Sequence, residues 1–154
     1  MRRLLALALG VCAATSIQAQ TRPNFSGTWV LNTARSQNLG MMSTLEDTLT
    51  ISQASTNIVI KDRSSFQGQQ SNRELHYDLE GKPTTNEGPM GDRNETVAKW
   101  VGSRLVTTWT ADGAVAGTKV VRTETRSLSA DGKTMTVESV RAPNAPLVMV
   151  FDKK

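Results

Sequence analysis

One cysteine and one histidine are all that this 154-residue sequence offers toward thiol or metal chemistry. A zinc or haem site draws several ligands of those types, so neither fits, and one cysteine cannot form an internal disulfide. No glycine-rich phosphate loop appears, and no Ser-His-Asp or Cys-His set can be assembled around His76. Lysine and arginine outnumber the acids, for a formal charge of +4, but they never form a run (Arg63, Arg73, Lys82, Arg93 and Lys99 stand well apart). Scattered positive charge of this kind does not mark a nucleic-acid partner. Apolar residues make up 38% and aromatics 5%, a lean supply for one core. No cofactor and no catalytic residue emerge from this inventory.

The one long apolar stretch lies at the start. Met1-Arg2-Arg3 precedes a run from Leu4 to Ala14, and then small and polar residues through Ile17-Gln18-Ala19. That is the layout of a cleavable signal peptide over 1–19, and the apolar run is too short to span a membrane. Cys12 is not a convincing lipidation site, because bulky Val11 precedes it where a small residue belongs. The expected product is an exported, periplasmic or secreted domain over 20–154, with the cysteine removed along with the leader.

Asn24-Phe25-Ser26-Gly27-Thr28-Trp29-Val30-Leu31 follows at once. Phe25, Gly27, Trp29 and Leu31 share one parity, so one face of this strand carries the apolar weight. Gly27 permits a close approach by a neighbour. Residues 32–44 are irregular and read as a connection with one or two helical turns, either a plug over one end of the core or a lid bearing Met41 and Met42. From Asp47 onward the chain alternates. Leu49 and Ile51, then Ile58, Ile60 and Phe66, then Leu75, Tyr77 and Leu79, lie in phase on successive strands, with Lys61, Arg63, Glu74, His76 and Asp78 on the other parity. Strands are also expected at 93–100, 104–110, 118–129, 134–140 and 147–152. Asp131-Gly132 is the strongest hairpin signal.

About nine strands with turns every ten residues or so define an all-β, antiparallel up-and-down architecture of 8–10 strands. Such a meander leaves two exposed edges unless its first and last strands pair, and closure into a barrel removes both. An outer-membrane barrel would need an apolar outward band. The outward parity here is charged instead.

Phe25-Ser26-Gly27-Thr28-Trp29 resembles the Gly-x-Trp opening strand of the calycins, the lipocalins and fatty-acid-binding proteins. The hairpin at Ser127–Val137 and the ending Met149-Val150-Phe151-Asp152-Lys153 are similar to the end of that barrel. The resemblance implies a lipocalin-like barrel whose narrow end is closed by Gly27 and Trp29, and a small hydrophobic or amphipathic ligand inside. Fatty-acid-binding relatives hold a carboxylate with late-strand arginines and an Arg-x-Tyr. Arg122 and Arg126 match the former, whereas Val148-Met149-Val150-Phe151 lacks the latter, and the Thr-Asp-Tyr of classical lipocalins is absent.

Arg122, Glu124 and Arg126 share the parity of Leu128, and two placements are open. An exposed charge ladder is the commoner fate of Arg-x-Glu-x-Arg. Pointing inward, the three would have to be ion-paired and would form an anion site. Trp29, Tyr77, Trp100, Trp109 and Phe151 are the candidate wall, with Tyr77, Trp100 and Trp109 joining the charged trio as candidate ligand-binding residues. The expected function is ligand binding rather than catalysis, by a monomer or weak homodimer. The alternative is a filled structural or protein-interaction barrel.

Overall fold

The computed structural model describes residues 22–88 and 91–154. The leader and its cleavage site lie outside the described residues, as do Pro89 and Met90. Ten strands follow one another: β1 (Gly27–Leu31), β2 (Glu46–Gln53), β3 (Asn57–Phe66), β4 (Gln69–Asp78) and β5 (Thr84–Glu87), then β6 (Arg93–Val101), β7 (Arg104–Asp112), β8 (Lys119–Leu128), β9 (Thr134–Val140) and β10 (Leu147–Lys153). Between β1 and β2 lie two 3₁₀ turns, Thr33–Arg35 and Gly40–Thr44, where the sequence predicts helical turns.

All the ladders are antiparallel, and the strand order is β4-β3-β2-β1-β10-β9-β8-β7-β6-β5. The ends of the chain therefore meet in the middle of the sheet: Trp29 lies opposite Lys153, Val30 opposite Asp152 and Leu31 opposite Phe151. The sequence pattern predicts about nine strands; the tenth is β5. Its residues, Thr-Thr-Asn-Glu, have no apolar member, so no alternation marks it.

Those four residues complete the ring. β4 and β5 share no ladder, and side chains bridge them instead. The Asn86 carboxamide behaves as a peptide unit: its Oδ1 accepts from the His76 backbone N–H at 2.7 Å, and its Nδ2 donates to the His76 carbonyl at 2.9 Å. Thr84 Oγ1 donates to that same carbonyl at 2.6 Å. A backbone pair that no ladder serves must find partners, and here one side chain supplies both.

The closed end is packed around Trp29, which is 0% exposed. Its indole Nε1 donates to the Phe25 carbonyl at 2.8 Å, satisfying the one polar atom of the ring. Lys153 Nζ sits 5.1 Å from the ring centroid. Gly27 adopts φ 136°, a conformation that side chains rarely take, so the backbone calls for glycine. The flexible end of Lys153 lies over it, its Cε 2.8 Å from where a Cβ would fall. Phe25 stacks on Trp100 with centroids 6.0 Å apart, drawing the segment before β1 across the bottom of the barrel. Ile51, Ile58, Ile60, Leu105, Met135 and Val137 fill the space above it.

The alternation expected along the strands holds in three dimensions. Lys61, Arg63, Glu74 and His76 are exposed, and His76 Nε2 lies 3.1 Å from Glu74 on the outer surface. At the β8–β9 hairpin Gly132 takes φ 67°, and Asp131 accepts from the Ser129 hydroxyl and the Lys133 N–H.

Candidate functional site

Above the packed end the interior is not filled. A cavity of about 880 Å³ opens toward the mouth, where Met41 and Met42 of the second 3₁₀ turn lie over it. Leu49, Ile60, Leu75, Val137, Met149 and Phe151 give it an apolar wall. Into that wall are set six charged residues, placed by strand parity on two opposite sides. In a ring of ten strands β8 stands five places from β3, so the two face each other.

On β8, Arg122, Glu124 and Arg126 point inward. Of the two placements left open by their parity, the structure has the buried one. Glu124 and Arg126 are 6% and 5% exposed. Arg126 Nη2 lies 2.8 Å from Glu124 Oε2, and its Nη1 donates to Thr107 Oγ1 at 3.2 Å. Arg122 lies farther up, 3.4 Å from Glu124 Oε1, with its guanidinium 4.2 Å from the Trp109 ring centroid. One carboxylate thus faces two guanidiniums, and this wall carries an excess positive charge. Donors remain unspent there: Arg122 Nε, Arg126 Nε and Trp109 Nε1 are buried without a partner. Buried donors of this kind call for an acceptor.

Of the expected aromatic wall, Trp109 and Phe151 line the cavity. Tyr77 does not; it lies beneath Arg126, whose guanidinium is 5.4 Å from its ring, and the two form a floor. Burial raises the Tyr77 phenol above its ordinary pKa. Trp100 and Trp29, also expected in that wall, do not line the cavity, although Trp29 does close the narrow end as the resemblance implied. Both belong to the packed end, Trp100 against Phe25. The β6–β7 register explains why Trp100 and Trp109 never meet: Trp100 lies opposite Leu105 and Trp109 opposite Thr96, at opposite ends of the ladder.

The facing wall was missed by the sequence reading. Asp47 on β2, Asp62 on β3 and Arg73 on β4 point into the same cavity. Asp62 is 5% exposed and ion-paired with Arg73. Burial, and then the charge of and hydrogen bond with Asp62, push the Asp47 carboxyl up to about 8. At neutral pH Asp47 therefore keeps its proton and shares it with Asp62. A signal was there to find. Asp47 has the parity of Leu49 and Ile51, Asp62 that of Ile58 and Ile60, and Arg73 that of Leu75 and Tyr77: a charge in the apolar phase on three consecutive strands.

Among the described residues no cluster of three or more His, Cys, Asp and Glu side chains could hold a metal ion. Among them, too, no helix is long and apolar enough to cross a membrane.

A ten-stranded up-and-down barrel with terminal strands paired, an aromatic plug at one end and a cavity at the other is a fold that this chain shares with solved lipid-binding and fatty-acid-binding proteins. The solved structures it resembles include apo lipid binding protein 8 of Caenorhabditis elegans, at TM-score 0.66 and 14% identity over 92% of this chain and 100% of that one. Human cRBP IV matches at TM-score 0.65 and 18% identity, over 86% of this chain and 99% of that one. The Schistosoma mansoni fatty acid binding protein in complex with arachidonic acid matches at TM-score 0.65 and 17% identity, over 84% and 96%. At such identities the likeness is one of fold. No family model matches the sequence, and no curated protein does.

Proposed function

We propose that this protein is a carrier that binds a small amphipathic anion, tail against the apolar wall and head toward Arg122. The observation that carries the proposal is a roomy cavity, about 880 Å³, whose three buried or half-buried arginines face only two ion-paired carboxylates, Asp62 and Glu124. Asp47 adds no charge while it keeps its proton. A monoanion would neutralise the remaining guanidinium, and Arg122 is the one least engaged and nearest the mouth. The apolar lining supplies affinity, on the order of 25 cal/mol per Å² of ligand surface removed from water. Fatty-acid and lipid-binding proteins of the same fold lend support, as does the arachidonic acid in one of them. A filled structural barrel is disfavoured by the size of the cavity.

Calorimetric titration with dodecanoate tests this. The wild-type protein should bind one equivalent. Arg122→Gln should weaken binding about tenfold, the value of one lost charge-assisted contact. Its fold should persist, because Glu124 keeps Arg126. Absence of dodecanoate binding, or equal binding by the variant, would overturn the proposal. Export is part of the same proposal and rests on the composition of 1–19. Protein recovered from outside the cytoplasm should have a mass that places its N-terminus at Gln20.

A further inference from the structure

The wall formed by β2, β3 and β4 has the opposite electrostatic character to β8. Two carboxyl groups there face one guanidinium, so full ionisation would leave a net negative charge. Asp62 is more than nine-tenths buried, yet no donor of the protein reaches its Oδ1, nor that of Asp47. Nothing but a shared proton joins the two acids. The charged groups that act most strongly on Asp47 are Asp62 on β3 and Arg73 on β4, and Arg122, Glu124 and Arg126 face it across the same cavity. Arg73 serves the other side of Asp62, and the Thr48 backbone serves Asp47. One buried oxygen of each acid still has no donor, and such a pair is matched by a donor carrying its own positive charge.

We propose that Asp47 and Asp62 form a second polar subsite that takes an ammonium group, so that the natural ligand is a bipolar amphiphile with an amine as well as an anion. This rests on the anion-binding reading above and specifies its ligand class. The exchange balances. The ammonium enters between the carboxyls, Asp47 gives its proton to solvent, and two carboxylates then face one guanidinium and one ammonium. One proton is released per ligand bound, so affinity for an amine-bearing ligand rises with pH, by up to about tenfold per unit. That rise levels off above about pH 8, where Asp47 is ionised without the ligand.

The test compares 12-aminododecanoate, dodecylammonium and dodecanoate by calorimetry at pH 7, in two buffers of different ionisation heat that together count protons. The amino acid should bind about tenfold or more tighter than dodecanoate, with release of one proton, and dodecanoate should release none. Asp47→Asn copies the shape of the protonated acid without its ability to ionise. In that variant the ratio of the two affinities should collapse toward one, and proton release should vanish. Dodecanoate binding with no preference for the amine would overturn the ammonium subsite and leave the anion reading standing. Dodecylammonium binding with proton release that Asp47→Asn abolishes, in a protein that ignores dodecanoate, would support the subsite and overturn the anion reading. If none of the three probes binds, both fall.

Discussion

The two halves of the barrel are built from the same strands with the same inward parity, and they differ only in what that parity carries. Toward the closed end the inward positions of β2, β3, β4 and β8 are Ile51, Ile58, Tyr77 and Leu128. Toward the mouth the same strands present Asp47, Asp62, Arg73 and Arg122. The lower half excludes water and fixes the register. The upper half keeps charged groups buried in a space the protein does not fill, a costly arrangement that stability alone does not explain. The packed core and the proposed binding cavity are thus divided along the strands rather than among them.

If that division is right, the largest loss of stability comes from the closed end. Trp29→Ala should cost about 3–5 kcal/mol, as deletion of a fully buried aromatic does. That corresponds to roughly 10 °C or more in Tm by thermal denaturation. A loss no larger than those at the mouth would break the comparison. Next comes the seam: Asn86→Ala leaves the His76 N–H without its partner, while the carbonyl keeps Thr84 Oγ1, and should cost about 1–2 kcal/mol.

A further effect should appear in the pH dependence. The Asp47 carboxyl titrates near 8 when folded, against about 3.8 in a free chain. Between those values the folded state holds a proton that the unfolded state has lost. Protonation therefore favours folding, and stability should fall as pH rises from 4 to 8. Chemical denaturation across that range should show the decline, and Asp47→Asn should flatten it. The smallest effect belongs to the rim. Met41 is 84% exposed, and Met41→Ser should shift stability by less than about 0.5 kcal/mol.

The lower half was the legible one. Phe25, Gly27, Trp29 and Leu31 announce a buried face by alternation alone, and Asp131-Gly132 announces its turn, because both signals are local. β5 went unseen since its task is polar and its partner, His76, lies ten residues away across the seam. The charged trio of β8 was visible as a pattern and undecided as a placement. Whether Arg-x-Glu-x-Arg lies in or out depends on Thr107, Trp109 and Tyr77, which only the closed sheet brings to it. The acids of β2 and β3 escaped for a related reason. Each is one polar residue in an otherwise apolar phase, and only closure assembles them with Arg73.

The seam at Asn86 has a mechanical consequence. Backbone ladders run unbroken from β4 round to β5, so the circumference is joined at a single place by side-chain contacts: Asn86 and Thr84 with His76, and Arg73 with the Glu87 carbonyl. Girth can change there without any ladder breaking, as a cuff loosens at its button while the cloth stays whole. For the carrier proposed above, guests of different bulk would differ mainly in how far they spread β4 from β5, and the tryptophan-sealed end would not have to move.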